Sequence, residues 1–298
     1  MNHYRSSAFI ICLLLACSFS RADEIPLNLK KENLVAWCIV PFDAKKRGPA
    51  ERAEMLKDLG LGSSAYDWRK QHIGEFEEEI LEYKSKGIEF FAFWGGHENA
   101  YSLFKKHGIQ PQIWRTAPSP EADSQEEKVT AAANSLEPLA KEVTEAGSSL
   151  GLYNHGGWGG HPDNLIAVCA ELRKRGYPKV GIVYNWHHAH DLIDQWGEVI
   201  EKLKPYLLCL NLNGMNDNAQ PKILPLAQGA HEKAMLETLL RSKYSGPVGI
   251  LDHRNETDTR LSLQDNLDGL TWLLKEISEP GSGGDKPTPK AKDISKPQ

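Results

Sequence analysis

Three histidines fall within four positions, His187, His188 and His190, directly behind an apolar run, Gly181-Ile182-Val183-Tyr184, that closes on Asn185-Trp186. Two other stretches have the same form: Leu150-Gly151-Leu152-Tyr153 runs into Asn154-His155, and Val248-Gly249-Ile250-Leu251 into Asp252-His253. Imidazole moves protons near neutral pH and, when neutral, ligates borderline metals. An apolar strand tipped with such groups and followed by a helix is how an α/β enzyme presents its chemistry. Of eleven histidines, eight follow directly on an expected strand: His72, His97, His155, His161, His187, His188, His190 and His253. His72, His161 and His190 read as plain polar loop residues, and His155, His188 and His253 as the candidate catalytic groups.

Those tips need a scaffold that gathers strand ends. Apolar, β-rich segments near 34–42, 63–67, 89–94, 110–114, 149–154, 180–185, 207–212 and 248–252 alternate with helical patterns near 49–59, 73–86, 100–106, 126–145, 162–175, 192–203, 232–242 and 263–277. Strict alternation argues for βαβ units and a parallel sheet. Eight such units predict a single-domain α/β protein, a (β/α)8 TIM barrel over residues 32–278. The competing doubly wound sheet calls for a Gly-rich loop after an early strand, whereas Gly60-Leu61-Gly62 precedes one.

Side chains alternate along a strand, so Tyr153 shares a face with His155, Asn185 with His187, Asn211 with Asn213, and Leu251 with His253. One inward layer therefore gathers His155, Asn185, His187, Asn211, Asn213 and His253, while Asp252 faces the helices and Glu256 and Asp258 follow in a loop. Tryptophans crowd the same expected face: Trp37, Trp68, Trp94, Trp114, Trp158 and Trp186. Indole stacks on the C–H face of a sugar while amides, acids and guanidinium groups take its hydroxyls. The expected substrate-binding set is Asp67, Arg69, Trp94, Trp114, Arg115, Trp158, Asn185, His187, Asn211 and Asn213, and the expected partner is a small sugar or cyclitol.

The net charge of −5 over 298 residues, with acids and bases mixed, offers no stripe for nucleic acid. Residues 1–22 read as a signal peptide: Arg5, an apolar run over 8–16, then Ser20-Arg21-Ala22 before Asp23. The expected location is the periplasm or the exterior. Leu14-Leu15-Ala16-Cys17 supports a second reading, a lipid anchor at Cys17. The run is too short to span a membrane, which takes about 20 residues. Residues 23–31 form a lead-in. Cys38, Cys169 and Cys209 suit buried thiols rather than a disulfide framework. Residues 279–298, rich in Gly, Pro and Lys, read as a disordered tail.

The segments Leu152-Tyr153-Asn154-His155-Gly156-Gly157, Asn185-Trp186-His187-His188-Ala189, Asn211-Leu212-Asn213-Gly214, Pro225-Leu226-Ala227-Gln228-Gly229 and Tyr244-Ser245-Gly246-Pro247-Val248-Gly249-Ile250-Leu251 resemble the xylose isomerase-like TIM-barrel superfamily, the sugar phosphate isomerase/epimerase group. The resemblance covers about residues 32–278. It implies a barrel acting in carbohydrate metabolism as an isomerase, epimerase or lyase-type enzyme. It also implies a divalent site of Glu, Asp, His and an acid on the last four strands. Here those positions fall on Tyr153, Asn185, Asn211 and the segment 251–253, with His188 retained from an Asp-x-x-His pattern. Hard divalent cations want carboxylate oxygens, so no Mg2+ or Mn2+ site is expected and no metal ligand is assigned. Three readings follow: a metal-independent or rewired enzyme with His155, His188 or His253 as acid and base; a non-catalytic sugar-binding barrel; and a Zn2+ site of His155, His187 or His188, and His253. Endonuclease IV shares the barrel, and the charge argues against a nucleic-acid role.

Overall fold

A parallel strand covered on both faces reads as a mostly apolar run, as Leu34-Val35-Ala36-Trp37 and Val248-Gly249-Ile250-Leu251 do in full and the other strands of this chain in part. Residues 25–292 are described by a computed structural model. The strands are β1 (Leu34–Trp37), β2 (Ser63–Tyr66), β3 (Glu89–Trp94), β4 (Gln112–Thr116), β5 (Leu150–Tyr153), β6 (Val180–Asn185), β7 (Leu207–Leu212) and β8 (Val248–Leu251). Each pairs in parallel with the next, and β8 closes on β1 through Leu34↔Val248 to Trp37↔Leu251. The helices are α1 (Pro49–Leu59), α2 (Phe76–Lys86), α3 (Glu98–His107), α4 (Gln125–Glu145), the one-turn α5 (Gly157–Gly160), α6 (Pro162–Lys174), α7 (Trp196–Leu203), α8 (Glu232–Arg241) and α9 (Thr259–Ser278). The (β/α)8 barrel expected from alternation is the architecture found.

Alternation divides the core in two. Val35, Trp37, Ala65, Trp114, Tyr153, Val183, Cys209 and Leu251 fill the barrel interior. Leu34, Ala36, Tyr66, Leu152, Ile182, Leu210 and Ile250 face outward and pack with the helices.

Several boundaries differ from the sequence reading. The first strand ends at Trp37, not 42, because Cys38 takes a left-handed φ of 59° and Val40 N–H donates to Asp67 Oδ1 at 3.1 Å instead of to a ladder. Strand β4 begins at Gln112, two residues late, since Pro111 has no N–H to give. The expected helix at 192–203 is 3₁₀ over His190–Gln195 and α only from Trp196. Helix α9 begins four residues early, capped by Asp258, whose side chain accepts from Arg260 N–H.

The stretch after Glu279 is not the free tail that its composition suggested. Trp272 Nε1 donates to Gly284 O (3.1 Å), Gln228 Nε2 to Pro287 O (2.8 Å), and the Lys290 and Ala291 N–H groups to the Asp265 carboxylate (2.8 and 2.9 Å). Polar side chains on α9 and in the loop before α8 capture its backbone, and Pro287, Pro289 and Ala291 are half-buried. At the other end, Asn28 Nδ2 donates to Tyr244 O and Gly246 O and fastens the lead-in under β8. The expected signal peptide and Cys17 lie outside the described residues, as do residues 293–298. Among the described residues no helix is long and apolar enough to cross a membrane.

One ion pair is fully enclosed between α1 and α2. Arg52 donates from Nε and Nη2 to the two oxygens of Glu79 at 2.9 and 2.8 Å, and Nη1 donates to Arg47 O at 2.6 Å. Glu79→Gln removes the bidentate partner of a buried guanidinium and leaves it only Glu75, 3.8 Å from Nη2. The expected loss is about 3 kcal/mol, read as a lower urea midpoint at unchanged m-value.

Candidate active site

The interior parity set by Tyr153, Val183, Cys209 and Leu251 carries past the strand ends. It turns His155, Asn185, Asn211 and His253 inward, and then His187 and Asn213. Strand parity alone would turn His188 away. The chain leaves β6 through a 3₁₀ turn, Trp186–His188, whose three-residue period swings His188 back over the opening. The imidazoles stand in a row: ring centroids are 5.8 Å apart for His253 and His187, 3.7 Å for His187 and His188, and 4.6 Å for His188 and His155. Tyr153 lies beneath, 5.8 Å from His188 and 6.2 Å from His155.

Amide side chains hold this layer. Asn154 Oδ1 accepts from the backbone N–H of Asn185 at 2.8 Å and from its Nδ2 at 3.2 Å, while Asn154 Nδ2 donates to Asn185 O at 3.0 Å. Asn211 Oδ1 accepts a weak bond from Cys209 Sγ at 3.7 Å, and Asn213 Nδ2 donates to Gly214 O at 2.8 Å. Position 249 must be glycine for this arrangement, because a Cβ there would come 1.9 Å from Asn211 Oδ1. Seven atoms in and beside the layer are buried with no protein partner: Asn185 Oδ1, both His187 nitrogens, His188 Nε2, Asn211 Nδ2, Asn213 Oδ1 and Asp67 Oδ2. Buried polar groups are normally satisfied, so this ring calls for polar partners, water or ligand, that the protein itself does not supply.

A cleft of about 580 Å³ opens above, lined by His155, His187, His188, Asp191, Asp194, Asp217 and Lys222 among others. Burial lowers the pKa of three of these imidazoles, His187, His188 and His253. The His188 pKa falls to about 3, first through burial and then through the charge of Lys222. Burial likewise pulls His253 down and His187 well below the usual range, with further lowering from His188 beside it. Burial pushes two acids the other way. Asp67 and Asp252 both rise to about 7, against the opposing pull of Arg69 and Arg254 respectively.

The expected binding set divides. Asp67, at the tip of β2, points inward, and Arg69 donates to the carbonyls of Asp67 and Trp68 while lying 5.6 Å over the Phe42 ring. Phe42 in turn packs on His253 at 4.0 Å. Asn185, His187, Asn211 and Asn213 are in the layer. The tryptophans mostly form its foundation rather than a sugar platform. Trp114 is fully buried, donates to Gln112 Oε1, and packs 4.8 Å from Trp37. Trp94 is half-buried and edge-on to Tyr153 at 5.0 Å. Trp186 is buried outside the barrel against Trp196. Trp158 is held on the α4 side of the rim by Gln125 Oε1 at 2.9 Å. Arg115 is exposed in a groove with Tyr101, Ser135 and Glu142, away from the histidines. Residues at even steps from an inward position reach the interior, and Arg115 is one step from Trp114.

Sequence reading passed over Lys222, which lies in the loop of residues 213–231 between β7 and α8. No periodicity marks that loop. Buried Glu232 accepts from Met215 and Gly229 N–H, and His190, taken for a plain loop residue, sets its ring nitrogens 2.7 Å from Asn216 O and 3.1 Å from Lys222 O.

The layer does not fit a hard divalent cation. Tyr153, Asn185 and Asn211 offer neutral donors, the Tyr153 hydroxyl accepts from Trp37 Nε1 at 3.2 Å, and Asp252 is turned away onto Thr259 Oγ1 at 3.1 Å. The zinc arrangement is not formed either. The imidazoles lie side by side, and among the described residues no group of three or more His, Cys, Asp or Glu side chains is disposed to hold a metal ion.

No protein-family model matches the chain, and no curated protein matches it by sequence. Solved structures do match. A 3-keto-D-glucoside 4-epimerase from E. coli, YcjR, superposes with a TM-score of 0.60 at 16% identity, over 82% of this chain and 99% of that one. A probable 3-DHS dehydratase from Bacillus anthracis, AsbF, gives 0.62 at 12% identity, over 80% and 98%. A xylose isomerase-like TIM barrel protein from Mycobacterium smegmatis, in complex with magnesium, gives 0.55 at 14% identity, over 85% and 99%. At such identities the likeness is one of fold.

The buried imidazoles make a pH prediction. With a folded pKa of about 3 and an ordinary unfolded value of about 6.5, His188 binds a proton in the unfolded chain first. Its neutral burial therefore costs stability progressively as pH falls from about 6.5 toward 3. Asp67 and Asp252 act oppositely, losing stability as pH rises from about 4 to 7, but they are common to wild type and a His188 variant. The stability of His188→Gln relative to wild type should rise between pH 7 and pH 5, measured by urea unfolding. A difference independent of pH would show that His188 is not held neutral.

Proposed function

We propose that this chain, which has the fold of the xylose isomerase-like TIM barrels, acts on a carbohydrate or cyclitol as an isomerase, epimerase or lyase-type enzyme. The observation that carries the reading is the ring of buried, unpartnered donors and acceptors beneath an open cleft. A sugar hydroxyl both donates and accepts, and so answers Asn Oδ1, Asn Nδ2 and imidazole alike. Moving a proton at a carbon beside a carbonyl needs a base for that proton and a donor to the oxygen. Neighbouring imidazoles supply, when neutral, a lone pair and an N–H; His155, His188 and His253 are the candidates. The epimerase and dehydratase among the fold neighbours support the same class. Export is part of the proposal, resting on residues 1–22, and the mass of the mature chain recovered from cell fractions tests it.

A second reading, an exported sugar-binding barrel without catalysis, is favoured by a specific observation. Neutral Tyr153, Asn185 and Asn211 occupy the positions that the resemblance gives to metal ligands, and His188 is a weak base at a pKa of about 3. Proton–deuterium exchange in D2O across a panel of sugars and keto-sugars separates the two. Under the enzyme reading His188→Gln lowers exchange by about 10²–10⁴-fold with little change in affinity. Clear binding without exchange by the wild type selects the binder, and exchange unaltered in His188→Gln removes His188 from the mechanism.

A further inference from the structure

Lys222 reaches the histidine row from the 213–231 loop, with Nζ 3.4 Å from His188 Nδ1. An ammonium group has only protons to give, so Nδ1 accepts and the remaining proton of the neutral imidazole is on Nε2. That Nε2–H is buried and has no acceptor. The loop fixes where Lys222 emerges: its carbonyl faces His190 Nε2 at 3.1 Å, and Gly214 N–H donates to Leu224 O at 2.9 Å. The Lys222 side chain is exposed into the cleft. Among the described residues no carboxylate comes within 4.0 Å of its Nζ.

The other end of the row carries a second cation. Arg69 gives Nη1 to two backbone carbonyls and lies over Phe42, which packs on His253. Between Lys222 and Arg69, burial lowers the pKa of His188, His187 and His253. Of the rim carboxylates, Asp217 is engaged by His231 at 2.9 Å, and Asp191 and Asp194 are exposed. Inside, Asp67 is held by Val40 N–H. Lys222 thus lines the cleft beside the His188 imidazole, with Asp191, Asp194 and Asp217 on the same lining, and Arg69 lies behind Phe42 and His253 outside it.

We propose that the cleft selects an anionic sugar, one whose carboxylate or phosphate oxygens dock on Lys222 beside His188 while its hydroxyls meet the amide and imidazole layer. The proposal rests on the reading of this cleft as a carbohydrate site and names the class of carbohydrate. A compact ammonium beside enclosed N–H donors favours an anion through charge-assisted bonds, which are about twice as strong as neutral ones.

The test is calorimetry of the full chain with matched sets: neutral monosaccharides, their uronic and aldonic acids, and their phosphates. In wild type at least one acidic member binds about tenfold or more tighter than its neutral parent, and the set in which this occurs distinguishes carboxylate from phosphate. The advantage shrinks with added salt, falls to about onefold in Lys222→Met, and is retained in part by Lys222→Arg. Equal binding of acidic and neutral members, or a preference unchanged in Lys222→Met, overturns the proposal and leaves the sugar site standing. Absence of binding by every sugar, charged or neutral, overturns the carbohydrate reading and this proposal with it.

Discussion

One side chain, Asn154, holds the geometry on which the site depends. It follows the last residue of β5 and does for the end of β6 what another strand residue would do. Its amide oxygen accepts the Asn185 N–H, and its amide nitrogen donates to the Asn185 carbonyl. Both bonds are buried, each worth about 1 kcal/mol net, and losing either would strand a backbone group in the core. The clip fixes where β6 stops. The 3₁₀ turn begins at the next residue, and that starting point sets His187 and His188 against His155 from β5 and His253 from β8.

Closure of the barrel supplies the rest. Each inward position on one strand meets inward positions on its neighbours, so four strands deliver their tips to one opening. Beneath that opening Trp37, Trp94, Trp114 and Tyr153 pack edge against face at 4.8–6.5 Å. This aromatic plug fills the barrel interior below the histidines. Burial then does the electrostatic work: it lowers the pKa of His187, His188 and His253 and raises that of Asp67.

The 213–231 loop completes the wall. Its backbone bonds to the side chains of Glu232, His190 and Asn266 rather than to a strand, which holds a long irregular segment in one conformation over the strand ends. Through it a cation from outside the barrel's repeating pattern enters the site. The site thus takes its amides and imidazoles from strand tips and the charge of Lys222 from a loop.

Much was legible in the sequence because it is local and periodic. Alternating apolar strands and amphipathic helices gave the barrel, and two-residue alternation placed Asn185, His187, Asn211, Asn213, His155 and His253 on one layer and turned Asp252 toward the helices. The sequence alone also drew attention to Tyr153, Asn185 and Asn211 as neutral residues where ligands were expected. What tertiary structure decided lies where periodicity ends. The 3₁₀ turn brought in His188, the left-handed Cys38 cut β1 short, and a one-residue offset sent Arg115 outward. Tryptophans that could equally stack on a sugar or fill a core were assigned by the space around them: Trp114 and Trp186 had none to spare. The approach of Lys222 to His188 spans 34 residues, and no local pattern encodes a contact that only the closed barrel and its anchored loop create.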